Sequence, residues 1–395
     1  MKTLKKYNRF WLIIALPILV VICTLIATWI VNSMDYHHKD NDFFTFWLAG
    51  HLVTQGESPY DTAQWVAGYQ QFQMDIIPNP AFLYPLPLAL FFAPIGLMPF
   101  HTAYVTWVLL LELLILASLA AILIIQTSSR AILFCIPLLV GIIFFRPTTL
   151  TLTQGQVSGL ILFVIVGMAW LWQKGEWFWG GILLGLLVLK PNLGFIIIAL
   201  LALWLFFQKH WTALLGTLLS GIFLFATGML YNPHWVIEYW QVSSHKLAQT
   251  FGESPTVWGL SALFIHNSPA GMLTLGGLGA LLVLLWFFVA VFRAVPTRKP
   301  LTIIALAITV TLLVTPYTWT YDQLLLLIPI TGITFAMDQA GYRFSITAVI
   351  FLIIDLFAFL LLIPNSILGI EILNAIIPLT ILGFCIWWIK TLPSR

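Results

Sequence analysis

The chain has little charge. Asp, Glu, Lys and Arg make up 8% of its 395 residues, against about 25% in a soluble domain, which excludes a water-soluble globular enzyme. The net charge of +3 comes from scattered cations, so no basic patch is offered to a nucleic acid. There are 3 cysteines. Cys23, Cys135 and Cys385 all sit inside apolar runs without metal-like spacing, and they read as packing residues. No strand-to-helix Gly-rich loop is present to cradle a nucleotide phosphate. The short alternating segments of a membrane β-barrel are missing as well.

What is present is apolar: 61% of the residues are hydrophobic, with 18 Trp and 30 Phe. Runs of roughly 20 apolar residues recur along nearly the whole length, each long enough to cross a bilayer as a helix. The expected fold is an all-α integral membrane protein, one polytopic helical bundle over residues 1–395. Lys2, Lys5, Lys6 and Arg9 precede a first span over residues 10–31. That run is too long for a signal-peptide core and has no small-x-small cleavage site, so it reads as an anchor with a cytoplasmic N-terminus. Residues 32–99 then form an outer loop, and residues 100–395 hold the remaining spans.

Further apolar segments run over 102–126, 131–146, 157–172, 177–189, 192–207, 211–230, 270–292, 301–316, 322–336, 344–363 and 370–389. Placing the cation cluster Arg293, Arg298 and Lys299 inside puts nearly every loop cation in the cytoplasm, with the C-terminus. Four cations stay outside: Arg146 and Lys190 at outer span ends, and Lys39 and Lys246 in outer loops. The parity holds if residues 82–98, rich in proline, form a broken or re-entrant segment. About twelve spans result, with both termini inside and a plasma-membrane location.

The polar features then meet on the outer face. Residues 43–55 and 61–73 have helical spacing, and Gly56-Glu57-Ser58-Pro59-Tyr60 breaks them apart, which suggests two interfacial helices. Asp61 is a natural N-cap for the second. Other outer corners are Arg146 with Gln154-Gly155-Gln156, then Lys190-Pro191-Asn192, then Pro316-Tyr317-Thr318-Trp319-Thr320-Tyr321-Asp322-Gln323. Lys190 reads either as an anion ligand beside a helix N-terminus or as a snorkelling lysine. Arg146 reads either as a second anion ligand or as a helix-end anchor. Asp42 stands where it would cap a helix beginning at Phe43. His234 and His245 are lone histidines without ligand spacing, and no metal or cofactor is expected. Trp47, Trp258 and Trp319 are open to either interface packing or stacking on a sugar or isoprenoid.

Several motifs in order resemble glycosyltransferase family 87, which contains GT-C-type mannosyltransferases using polyprenol-phosphate-mannose. They are Asp42-Phe-Phe-x-Phe-Trp-x-Ala-Gly, Gly56-x-x-Pro-Tyr-Asp61, Phe82-x-Tyr84-Pro85, the Pro94…Met98-Pro99…Ala103…Trp107 series, Gln154-Gly155-Gln156, Leu189-Lys190-Pro191 and Thr315-Pro316-Tyr317-x-Trp319. The chain departs from the family pattern in three places. Tyr-Pro-Leu-Pro stands for Tyr-Pro-Pro, Gly-Gln-Val-Ser for Gly-Gln-x-Asn, and Tyr321-Asp322 where many members have His. The resemblance implies a polyprenyl-phosphate sugar donor, an outward-facing site and an acidic general base just after the first span, a position that falls on Asp42. Asp40 and Asp322 are the alternatives for that role.

Such a donor is already activated, so the enzyme must deprotonate an acceptor hydroxyl and hold the leaving phosphate. A carboxylate serves the first need; Lys190, Arg146, hydroxyls and helix N-termini serve the second. Tyr84, Gln156, Tyr321, Asp322 and Asp40 are candidate substrate contacts. The expected partners are the lipid-linked donor, a lipid or glycan acceptor, and membrane lipid. The competing reading is a transporter or flippase for a lipid-linked saccharide; against it, no inverted repeat relates the halves and the polar groups gather at one face. The topology is testable. A cysteine introduced by His101→Cys should label from outside the cell, and labelling from the cytoplasm alone would overturn it.

Overall fold

Backbone N–H and C=O groups in a bilayer have no water to bond, so long apolar runs close their hydrogen bonds within helices. The computed structural model describes residues 2–34, 41–125, 145–250, 252–265, 268–294, 300–339, 341, 353, 356–357, 359–361 and 371–391. These are helical throughout, with no strand among the described residues. Asp40, Lys39, Cys135 and most of the expected segments at 131–146 and 344–363 lie outside them.

The helices in chain order are α1 (Lys2–Ser33), α2 (Asp42–Thr54), α3 (Thr62–Gln71), α4 (Leu86–Gly96), α5 (Phe100–Ile125), α6 (Arg146–Thr153), α7 (Ser158–Gln173) and α8 (Trp177–Leu186). They continue as α9 (Pro191–Phe207), α10 (Trp211–Tyr231), α11 (Trp235–Thr250), α12 (Val257–Phe264), α13 (Pro269–Ala294), α14 (Pro300–Val314), α15 (Leu327–Gln339) and α16 (Ile376–Thr391). Short 3₁₀ turns stand at Leu187–Leu189, Thr320–Leu326 and Ile372–Ala375. Among the described residues, 4 helices are long and apolar enough to cross a membrane: Phe100–Ile125, Trp211–Tyr231, Pro269–Val291 and Thr320–Met337. The count reaches 5 if α6 and α7, bent by 119° at their junction, form one broken span. The other apolar helical stretches, Pro17–Ser33 of α1 among them, are 10–17 residues long.

α14 is buried along its whole length from Leu301 to Val314, as a helix apolar on every side must be. It packs against α7, α9, α13, α15 and α16, forming the post of one apolar core. A second core gathers α2, α4 and α5. Its centre is aromatic: Phe43 stacks on Tyr104 at 4.8 Å between ring centroids, and Phe46 on Phe92 at 5.2 Å.

The break expected at residues 56–60 is present, and Asp61 caps α3 by accepting from the backbone N–H of Ala63 (2.8 Å) and Gln64 (3.1 Å). α2 differs from expectation: instead of laying one face on lipid, it is buried from Phe43 through Gly50. The cause is α4, which folds over it at glycine distance. A Cβ on Gly50 would meet the Phe92 carbonyl oxygen at 2.5 Å, and one on Gly96 would meet the His51 nitrogen at 2.4 Å. α4 itself rises about 16 Å over its length, roughly half a hydrocarbon core. The polar stretch after α10, read as a loop, instead contains the 16-residue helix α11.

Candidate active site

Three breaks in the helical pattern converge with the start of α2. The first is the corner between α6 and α7. Gly155 has φ +61°, and a Cβ there would sit 2.5 Å from the Phe43 Cβ, so only glycine fits. The Gln154 carbonyl accepts from the Phe43 N–H at 2.9 Å, and the Gly155 carbonyl from Trp107 Nε1 at 2.7 Å. This corner therefore seats the first turn of α2. The N-cap of α2 is Asn41, whose Oδ1 accepts from the Phe44 N–H at 3.1 Å and whose Nδ2 donates to the Tyr104 hydroxyl at 2.9 Å. The capping role read for Asp42 thus falls one residue earlier. Asp42 occupies the first helical position, where the helix dipole favours a negative charge, and it lines the main cavity.

The second and third breaks meet each other. Lys190 lies between the 3₁₀ turn Leu187–Leu189 and α9, with 1% of its surface exposed. Its amine forms an ion pair with Asp322 Oδ1, and donates to Ser158 Oγ at 2.8 Å and Gln156 Oε1 at 3.3 Å. Asp322 is 0% exposed. Its Oδ1 also accepts from Ser158 Oγ (2.9 Å), and its Oδ2 accepts from Thr318 Oγ1 (2.9 Å) and the Trp319 N–H (3.2 Å). Both carboxylate oxygens are thus engaged, which is the condition for a buried pair to be tolerated. The Tyr321 ring lies 4.9 Å from the Lys190 amine and lines the cavity, whereas Lys190, Asp322 and Gln156 do not. These three residues stand behind the cavity wall, with Tyr321 in front.

Arg146 is buried, and its Nη2 lies 3.4 Å from Glu371 Oε1; its Nη1 has no hydrogen-bond partner among the described residues. Glu371 lines the cavity, and its Oε2 accepts from the Thr320 N–H (3.2 Å) and Oγ1 (2.6 Å). Two carboxylates, Asp322 and Glu371, thus hold the turn that carries Tyr321.

The cavity has a volume of about 1050 Å³. Its polar lining includes Asp42, Tyr84, Gln154, Asn192, Tyr317, Trp319, Tyr321, Lys246 and Glu371. Burial, and then the nearby Asp42 carboxylate, push the Tyr84 phenol well above its ordinary range, so it stays a neutral donor. Asp42 also lies within Coulombic reach of Tyr321. Of the residues singled out in the sequence, Asp42, Tyr84 and Tyr321 meet on the cavity. Trp319 lines it too, while Trp47 Nε1 bonds the Met98 carbonyl at 3.0 Å and Trp258 Nε1 the Val314 carbonyl at 2.8 Å. Glu371 and Asn192 were missed as site residues. The available signal for Glu371 was an acid at the outer end of an apolar run. Among the described residues, no three His, Cys, Asp or Glu side chains gather as a metal site would need.

Removing one partner of a buried ion pair strands the other charge. Lys190→Met should lower stability by about 3 kcal/mol or more. The double variant Lys190→Met with Asp322→Leu should lose less than the single, as read by thermal unfolding in detergent. Additive losses would show that the pair contributes nothing as a unit.

The sequence profile of glycosyltransferase family 87 matches residues 82–316, a stretch that holds Tyr84, Arg146, Gln156 and Lys190 but neither Asp42 nor Asp322. No curated protein and no solved structure matches the chain. The profile covers more than half of the sequence, and its helices surround the cavity described above. The chain therefore belongs to glycosyltransferase family 87, and is a membrane glycosyltransferase.

Proposed function

We propose that the protein transfers a hexose, mannose foremost, from a polyprenyl-phosphate donor to a hydroxyl of a lipid or glycan acceptor. In this reading the bundle has about twelve spans with cytoplasmic termini, and the cavity opens on the extracytoplasmic face of the plasma membrane. The observation that carries it is the cavity's two-sided character. At one side Asp42, Tyr84 and Tyr321 offer a carboxylate and hydroxyls. At the other, Phe195, Phe225 and Trp240 line the cavity while remaining 57%, 50% and 69% exposed, so the apolar side reaches the surface of the bundle. A substrate with a reactive sugar and a hydrocarbon tail fits that shape.

Asp42 acts as general base. The acceptor hydroxyl attacks the anomeric carbon, its proton passes to the Asp42 carboxylate, and the bond from carbon to the phosphate oxygen breaks with its electrons leaving on the polyprenyl phosphate. A single displacement of this kind inverts the anomeric centre. Tyr84 and Tyr321 contact substrate as neutral donors. Lys190, Asp322 and Gln156 act one layer back, fixing the Tyr321 turn. Arg146 reaches an anion when Glu371 lets it go.

With purified protein and a radiolabelled polyprenyl-phosphate hexose, wild type should transfer label to acceptor. Asp42→Asn should lower turnover by about 100-fold or more while the protein remains folded and inserted; near-normal turnover in that variant removes the assignment. NMR of the product should show the inverted configuration. The lipid tail has its own test at Gly221, which lines the cavity and has no atom within 4 Å of where a Cβ would stand. Gly221→Phe should raise KM for a long-chain donor by about tenfold and leave that for a short-chain analogue unchanged. Equal effects on both donors would argue against a tail lying there.

A further inference from the structure

Positive charge is disfavoured in the outer loops of a membrane protein, so each cation kept there has a reason. By the topology read from the sequence there are four: Lys39, Arg146, Lys190 and Lys246. Lys39 lies outside the described residues. Lys190 is neutralised by Asp322, and Arg146 stands against Glu371. Lys246 is left. It is half-buried on α11, and no carboxylate pairs with its amine among the described residues. Trp235, Tyr239 and Ser243 precede it at intervals of four, four and three residues, one face of the helix, and all of them line the cavity with it.

The charge balance of the cavity gives this position its meaning. Among the described lining residues, the carboxylates are Asp42 and Glu371, and Lys246 is the only Lys or Arg. An anionic ligand entering such a space meets the Asp42 carboxylate, the Glu371 carboxylate already set against Arg146, and the Lys246 ammonium. We propose that Lys246 binds the phosphate of the lipid-linked donor, which rests on the reading above that the donor is a polyprenyl phosphate. Lysine suits the task because its ammonium is a compact point charge on a flexible stem that can follow the phosphate. The phosphodiester carries one charge in the donor and gains a second as the bond to the sugar breaks. A cation beside it therefore stabilises the transition state more than the ground state.

The test uses the full chain in nanodiscs, titrated with a polyprenyl phosphate that carries no sugar and, separately, with the corresponding polyprenol. Lys246→Gln should weaken binding of the phosphate lipid about tenfold or more, leave polyprenol binding unchanged, and raise KM for the donor in the transfer assay. Lys246→Arg should keep most of the affinity. Asp42→Asn, which removes a negative charge facing the cavity, should bind the phosphate lipid at least as tightly as wild type while losing transfer, which separates this site from the base. Two results would overturn the proposal: wild-type affinity for the phosphate lipid in Lys246→Gln, or an equal loss for polyprenol, which would mark Lys246 as packing alone. Should wild type neither bind the phosphate lipid nor transfer from a polyprenyl-phosphate hexose, the donor reading itself falls and Lys246 falls with it.

Discussion

An ammonium group inside an apolar helix bundle must be matched, and the match between Lys190 and Asp322 organises the rest of the site. The two residues are 132 positions apart, and joining them draws together the start of α9, the start of α7 and the turn before α15. Ser158 donates to the carboxylate and accepts from the amine, closing a three-membered network. Such a network is worth more than its separate contacts and leaves little room for alternative arrangements. Ser158 and Asp322 are also two of the places where the motifs that carry the sequence resemblance read differently. In the fold the two touch.

Because the pair is saturated, the polar groups presented to the cavity are others. Tyr321 screens the amine from the cavity, and Asp42 faces that cavity from the first turn of α2. The orientation of α2 is in turn set by the Gln154–Gly155 corner, which accepts the Phe43 N–H and leaves no space for a side chain at residue 155. Asn41 satisfies the next amide of the helix end. Capping is thus done by Asn41, and Asp42 lines the cavity from the first turn. Glu371 supports the same Tyr321 turn through Thr320 and stands against Arg146.

The helices themselves were largely legible. Apolar runs at 102–126, 157–172, 192–207 and 211–230 appear as α5, α7, α9 and α10 with ends within about two residues, the usual fraying of such boundaries. Gly56 and Pro191 mark real breaks, and Asp61 caps as its spacing implies, since these are effects of the local backbone. α11 was not legible, because a helix that covers a cavity carries a mixed polar stripe in place of a hydrophobic run. The burial of α2 was hidden too, since it depends on the close approach of α4 through two glycines.

By itself the sequence determined that this is a helical membrane protein, where its helices break, and that acids, amides and cations gather at those breaks. Periodicity, proline, glycine and low charge act over a few residues, so they can be read without knowing the fold. The tertiary structure alone decided which of those polar groups line the cavity and which neutralise one another. Lys190 in the sequence is a cation at a helix start; only when the chain folds does Asp322 arrive to cancel it, and Lys246 reach the cavity that Lys190 does not.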